Sequence, residues 1–506
     1  MFFKAEDERL DRLPGASLSS VEYDQQKACL PGTRTELLNN IEEWIHREGE
    51  CERILWLSGP AGTGKSSVAN SIAERMDSLG RLGASFRFDR GQAERTPATL
   101  IGNLCRQLAR FNDSIKGAML AAVERHGPGG SMPCASQAAK LFVGPILDVN
   151  IVGPILIVID ALDESGKDES PMGGMSRKDL ASTIVTQFIS LPASVKVLIT
   201  SREEGCITAL MSSCESCRHL VITEASGVGD DVKRFISTEM RDIRIWKGRG
   251  PNWPGVELIE ALTQYANGLF ICAAVVCNII REARNPDLQV KKILATGRLT
   301  GLDELYMTVV SQSLVGIDSD ESRNWTWVIG TIAVARVPLT VGEIDSLLGL
   351  PTASLETTWD YITSLLPLLK VDGEERRVTL LHKSVFDFLT TQTTIPIDIP
   401  RRHQSLAVDC LTYMNRNLRH DMSWISSSES SEGCNTFALR YACRNFSKHL
   451  SESTSQYPIP PTGELQIFLR EHLLHWFETM ARLNQGYEAE ESLKLLLICL
   501  SVSSVF

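Results

Sequence analysis

The sequence predicts an α/β domain built on a parallel sheet, followed by a long run of helices. Three observations predict it. A loop of the form G-x-x-x-x-G-K-S sits between a strand pattern and a helix pattern. A near-continuous apolar run, Ile155-Leu156-Ile157-Val158-Ile159, ends in the carboxylate of Asp160. Strand patterns alternate with helical ones until about residue 225, and helical patterns then take over. Such alternation makes a parallel sheet covered on both faces.

Each element can be justified in order. Residues 1–30 are polar and irregular, with Pro14, Gly15 and a Ser-rich patch, and read as a leader or linker. Gly32-Thr33-Arg34 opens a helix whose apolar Leu37, Leu38, Ile41, Trp44 and Ile45 recur at helical spacing. Ile54–Ser58 is a buried strand running into Gly59-Pro60-Ala61-Gly62-Thr63-Gly64-Lys65-Ser66. A helix then leaves the loop from Ser66 and Ser67 to Leu79. The glycines let backbone N–H groups turn inward around anionic phosphates, and the helix N-terminus adds partial positive charge. Lys65 is placed to reach the β- and γ-phosphates and Ser66 to join a Mg²⁺ shell. Ser67 is grouped with the phosphate-binding residues.

Further strands are expected at Ala84–Phe88, Ile155–Asp160, Lys196–Thr200 and Leu220–Thr223, and helices at Pro97–Phe111 and Lys178–Ile189. Asp160 stands at the C-terminal end of its strand, where open α/β sheets place ligands. It is the candidate Mg²⁺ carboxylate, acting through water. Asp163–Ser176, with Gly166, Gly173 and Gly174, reads as an exposed loop.

Helices follow at Asp230–Glu239, Val256–Tyr265, Leu269–Arg284 and Leu302–Leu314. Residues 337–392 differ. Thr340 is a candidate N-cap for a helix over Val341–Leu348. A second helix ends near Leu369, a hairpin turns at Asp372-Gly373, and a closing helix starts at His382. This is a winged-helix pattern. DNA binding is not expected from it, because the candidate helix region carries Glu343, Asp345, Glu356 and Asp360 with Lys370 its only basic residue. Beyond residue 401 the chain is helical, with an apolar stripe through Leu406, Cys410, Tyr413, Met414 and Leu418. Its apolar end, Leu495–Phe506, reads as a point where a longer protein continues.

The 506 residues are too many for one core, and about three domains is the expectation. Hydrophobic content of 43% with 22% charged residues describes a soluble globular chain. A net charge of −11 argues against general nucleic-acid binding. The thirteen cysteines form no disulfide or zinc framework, Cys214 and Cys217 being a lone C-x-x-C, and suit the reducing cytoplasm. The N-terminus lacks the apolar core of a signal peptide. The stretches near Leu269–Ile280 and Leu495–Phe506 fall short of the ~20 residues of a membrane span.

Together, Gly59–Ser66, Ile155–Glu164, Lys196–Arg202, Gly268–Ala273 and His382–Leu389 resemble the fungal NACHT-domain proteins, within the STAND class of signal-transducing P-loop NTPases. The resemblance covers about residues 25–500. It implies a P-loop NTPase domain over 31–225, a helical domain over 226–330, a winged-helix domain over 331–395 and a helical region over 396–506. Asp160-Ala161-Leu162-Asp163-Glu164 is similar to the NACHT Walker B, which implies that Asp163 and Glu164 activate water or organise Mg²⁺. Val197–Arg202 is similar to the sensor-1 strand, which makes Arg202 the monitor of the γ-phosphate. His382 takes the place of the winged-helix histidine that touches the β-phosphate of bound ADP. Cys29–Arg34 is similar to a segment near the base, which makes Arg34 a candidate base contact. The effector domain and C-terminal repeats usual in the family are not read in this sequence.

The function implied is a nucleotide-gated signalling switch. It would bind ATP or GTP with Mg²⁺, hydrolyse it slowly, stay closed with ADP or GDP, and oligomerise or meet protein partners when triggered. Ala161 stands where motor-type AAA ATPases place a catalytic glutamate, which favours slow turnover. The alternatives are an AAA-like remodeller and a non-catalytic scaffold.

Overall fold

Five strands, β1 (Ile54–Ser58), β2 (Leu82–Arg87), β3 (Ile155–Asp160), β4 (Val195–Ser201) and β5 (Cys217–Val221), run parallel in the order β2-β3-β4-β1-β5. The computed structural model describes residues 10, 13, 23–47, 52–89, 95–129, 132–168, 175–222, 228–295, 302–316, 318–349, 355–373, 375–391, 396–422, 425, 434–453 and 463–503. The chain divides into two units, Met1–Ile280 with Asn285–Arg298, and Arg281–Arg284 with Leu299–Phe506. The helices read as a domain over 226–330 are thus shared between them.

The apolar run of β3 is buried at every position because helices cover both faces of the sheet. Ile155, Ile157 and Ile159 join Trp56, Val197 and Ile199 beneath α3 (Pro97–Phe111) and its neighbours, including Leu100 and Leu104. Leu156 and Val158 join Leu55, Leu57 and Leu198 beneath α1 (Thr35–His46) and α2 (Lys65–Ser78), through Leu38, Ile41, Val68 and Ile72. Each such side chain contributes about 1.5–3 kcal/mol by leaving water. The strand at 220 starts three residues earlier than its apolar pattern indicates. Cys217 and His219 belong to it, with His219 stacked on Trp56 at 4.0 Å between ring centroids.

Two expectations are corrected. The stretch after Asp160 is not an exposed loop throughout. Leu162 and Asp163 are buried in a 3₁₀ turn over Leu162–Glu164, Ser165 is buried just after it, and Ser176 is buried as the N-cap of Arg177–Gln187. Gly173 and Gly174 lie outside the described residues. Part of the leader also packs. Leu10 and Leu13 are buried, and their carbonyls accept the Nη1 of Arg106 at 3.2 and 2.9 Å.

The first unit continues with α4 (Val228–Trp246), α5 (Val256–Ala266) and α6 (Phe270–Glu282). In the second unit Thr340 caps Val341–Leu348 in a capping box with Glu343. A helix over Leu355–Ser364 follows, then β7 (Leu369–Asp372) and β8 (Arg377–Leu380), to which a short β6 (Leu339–Thr340) adds a third antiparallel strand. Lys383–Thr391 closes the segment. The two helices, hairpin and closing helix expected there are all present, and β6 is the addition. Among the described residues no helix is long and apolar enough to cross a membrane. The described cysteines are free thiols, and burial pushes Cys217 up to about 12.

Two long helices of this unit, Ile399–Asn417 and Thr436–Ser453, pack on each other and bury a polar chain. His449 Nδ1 lies 2.8 Å from His403 Nδ1, and its Nε2 lies 2.8 Å from the Tyr441 hydroxyl. Burial, then repulsion from its neighbours His403, Arg336, Arg402 and Lys448, holds His449 well below its usual 6.5. It is therefore neutral in the fold. As pH falls below about 6.5 the unfolded chain takes up a proton that the folded chain refuses, so stability present above that pH is lost. The loss approaches ~1.4 kcal/mol per pH unit. Urea midpoints of the full chain should fall from pH 7 to 5.5, and less so in His449→Phe. An equal slope in the variant would refute this assignment.

Candidate nucleotide-binding site

β1 is covered on both faces, so the chain can reach a ligand only by turning sharply where the strand ends. Gly62 and Gly64 adopt φ of +77° and +90°, a region that favours glycine. A Cβ on Gly62 would come within 2.1 Å of Ile271 Cγ2, so the loop sits directly on α6. At Gly64 a Cβ would meet nothing within 4 Å among the described residues, so the loop opens there. Thr63 pins the turn by donating to the Pro60 carbonyl at 2.9 Å. Lys65 folds back and donates to the carbonyls of Gly59 and Pro60, both at 2.7 Å. Pro60 is exposed and Ala61 half-buried. The Ser67 carbonyl accepts Ser71 Oγ within the helix.

Because β4 lies between β1 and β3, its last residues rise between the loop and Asp160. Asp160 Oδ1 accepts Ser66 Oγ at 3.0 Å and Thr200 Oγ1 at 2.5 Å. Its Oδ2 faces Arg87 Nε at 3.7 Å. Thr200 Oγ1 also accepts the Ala161 N–H, at 2.9 Å. Ala161 adopts φ of +59°, which turns the chain so that Asp163 swings back over β4. The Asp163 carboxylate accepts the Arg202 backbone N–H at 3.2 Å and lies 3.5 Å from its Nε. Glu164 donates its N–H to the Ala161 carbonyl at 2.8 Å.

Arg34 caps α1 with φ of +56° and is buried. Its Nη2 donates to the Thr63 carbonyl at 2.9 Å, its backbone N–H donates to Asp231 at 3.0 Å, and its guanidinium lies 5.4 Å from the Phe270 ring centre. Burial lowers its pKa, against the pull of Asp231. It is thus placed against the backbone of the loop. His382 lies in the second unit, just before Lys383–Thr391. Its Nδ1 accepts the Ser384 N–H at 3.1 Å, so the neutral ring carries its proton on Nε2.

The structure therefore brings together the loop, Asp160, Asp163, Arg202 and Arg34 in the first unit. It adds residues that the pattern did not disclose. Thr200 and Arg87 share Asp160. Arg177 braces the turn, donating to the Asp163 carbonyl at 2.9 Å and pairing with Asp168 and Glu204. At the end of β1, Ser58 donates to Glu203 at 2.6 Å and lies 2.7 Å from His219 Nε2, whose pKa burial lowers. Arg87 lies inside the expected strand Ala84–Phe88, and only the register of β2 on β3 sets it opposite Asp160.

The chemistry of the donors suits a nucleotide with a hard divalent ion. Ser66 and Asp160 offer oxygen ligands, and Mg²⁺ prefers oxygen with retained water. Lys65, Arg87 and Arg202 supply positive charge near them for phosphates.

The sequence model of the family described as Nephrocystin 3, N-terminal, matches residues 32–202, the stretch that holds Arg34, the loop, Arg87, Asp160, Asp163, Thr200 and Arg202. The chain is 23% identical over 514 residues to the vegetative incompatibility protein HET-E-1 of Podospora anserina, covering 91% of this chain and 36% of that one. It thus spans about a third of the relative's length. A crystal structure of a STAND protein with a tetratricopeptide repeat sensor, from Pyrococcus horikoshii, matches 96% of this chain and 66% of its own at 13% identity, with a TM-score of 0.41. The Drosophila origin recognition complex bound to DNA matches 76% of this chain and 90% of its own at 14% identity, with a TM-score of 0.30. Neither superposition is close enough to carry an argument.

Proposed function

Because this chain belongs to the NACHT proteins of the STAND class of P-loop NTPases, we propose that it is a nucleotide-gated signalling switch. The observation that carries the reading is the meeting of Lys65, Ser66, Asp160, Asp163 and Arg202 around the C-terminal ends of adjacent strands. ATP or GTP is the proposed ligand, with Mg²⁺, which would polarise the phosphates and neutralise developing charge. Lys65 would exchange its two loop carbonyls for phosphate oxygens. Ser66 and Asp160 would hold the ion, Asp160 through water.

Arg202 and Asp163 supply the gate. Arg202 can turn to a γ-phosphate only by leaving the Asp163 carboxylate. That departure frees Asp163 to orient water beside its neighbour Glu164. Sensing and water activation are therefore coupled in one ion pair. Ala161 leaves the place directly after Asp160 without a base, which favours slow hydrolysis that resets the switch. Arg34 would brace the loop through Thr63. In the winged-helix reading of residues 331–395, His382 would donate from Nε2 to the β-phosphate of a bound diphosphate and hold the closed state. A triphosphate would favour an open state that oligomerises or meets a protein partner. The relative's printed function, vegetative incompatibility, makes self/non-self signalling in a fungal cytoplasm the setting we propose. The net charge of −11 keeps nucleic acid out of the proposal.

The test is to identify the nucleotide that leaves the purified chain on denaturation and to measure turnover on the same sample. Retained diphosphate with slow turnover supports the switch. Rapid turnover from an empty site points to an AAA-like remodeller, and no binding at all points to a scaffold. His382→Ala should weaken diphosphate retention about tenfold, or ~1.4 kcal/mol, more than triphosphate binding. Equal effects on both, measured by titration calorimetry, would remove its gating role.

A further inference from the structure

Arg87 takes no part in the motifs, yet it stands at the centre of the site. β2 and β3 pair in register with Arg87 opposite Asp160, so both side chains rise on one face of the sheet. That face is the one beneath α2, shared by Leu156 and Val158. Asp160 divides its two oxygens. Oδ1 takes the hydroxyls of Ser66 and Thr200, and Oδ2 faces Arg87 Nε at 3.7 Å. That Nε is buried and, among the described residues, finds no hydrogen-bond acceptor, so the contact is a charge pair and not a locked fork. Glu164, Asp89 and Asp24 also act on the guanidinium.

A carboxylate that serves as a metal residue and faces an arginine has two cations to choose between. Both cannot sit against Oδ2 without repelling each other. A direct, bidentate hydrogen-bonded arginine would resist exchange, whereas a single contact at 3.7 Å does not.

We propose that Arg87 is an exchangeable counter-ion of Asp160, which competes with the divalent cation and so sets the Mg²⁺ concentration at which the nucleotide site closes. The proposal rests on the reading of Ser66 and Asp160 as the Mg²⁺ residues. It makes Arg87 a positioning residue whose removal strengthens the metal site. A purely structural arginine would do the opposite, since its loss would loosen Asp160 and raise the Mg²⁺ requirement.

The experiment is a Mg²⁺ titration of the full chain with fluorescent mant-ATP, repeated with mant-GTP, following nucleotide binding and not hydrolysis. Arg87→Gln should lower the half-saturating Mg²⁺ about three- to tenfold. Arg87→Met, which keeps the apolar stem of the side chain, reads the same quantity should the glutamine variant fail to fold. A midpoint that is unchanged or raised overturns the proposal while leaving the P-loop reading intact. Failure of the wild-type chain to bind either probe at any Mg²⁺ would overturn the nucleotide reading itself, and this inference with it.

Discussion

Lys65→Ala will raise the nucleotide Kd at least about a hundredfold, a loss of ~3 kcal/mol. The reason lies in where Nζ now sits. It donates to the Gly59 and Pro60 carbonyls at the mouth of the loop, so phosphates entering there meet a cation that needs only a side-chain rotation to reach them. No other cation stems from the loop itself. The substitution removes a long, partly solvated side chain from the first turn of a helix, and alanine is the best helix former, so the fold should persist. Calorimetric titration with ATP and with GTP measures the effect, and circular dichroism checks the fold. Retained binding of either nucleotide near the wild-type Kd would end the phosphate-loop assignment.

Asp160→Asn is the second large effect, and it separates binding from chemistry. The side-chain oxygen can still accept Ser66 and Thr200, so the hydroxyl network at the end of β3 survives. What goes is the negative charge that would hold Mg²⁺ and that Arg87 faces. Single-turnover hydrolysis should drop about 10²–10³-fold, or ~3–4 kcal/mol, with nucleotide affinity changed less than about tenfold. Undiminished hydrolysis would show that the carboxylate organises no metal. Equal losses in binding and rate would make Asp160 a structural support of the loop.

The residues that sequence patterns disclose are those whose local surroundings are already written in the chain. Gly59 to Ser66 carry their geometry in glycine spacing, and Asp160 is marked by the apolar run that it ends. Thr340 was readable as a cap from its place before Val341–Leu348. Arg87, Thr200 and Arg177 were not, because their partners come from other strands or distant turns and only register brings them together. Asp163 shows the same limit from the other side. Its neighbours are polar and glycine-rich, so it reads as loop, yet Arg202 and Arg177 draw it inward to 3% exposure. Arg34 was expected near the ligand from resemblance, while its other neighbours, Asp231 and Phe270, come about two hundred residues or more later in the chain. The boundary between units was also hidden. Helical periodicity continues through residues 226–330 without showing that the chain changes partner near 298.

The seat of the phosphate loop on Ile271 has a consequence for how the protein is made. Gly62 meets Ile271, and Arg34 joins Thr63 to Asp231 and Phe270. A ribosome will have joined the loop's own residues long before any of these partners leaves its exit tunnel. Until then the loop lacks its seat on Ile271, and closing contacts across such a span is slow. Nascent chains should therefore gain nucleotide affinity abruptly once α6 has emerged, not when the P-loop does. Emergence of residues 230–280 from the tunnel would then be the step at which the cell's nucleotide pool first acts on the folding chain.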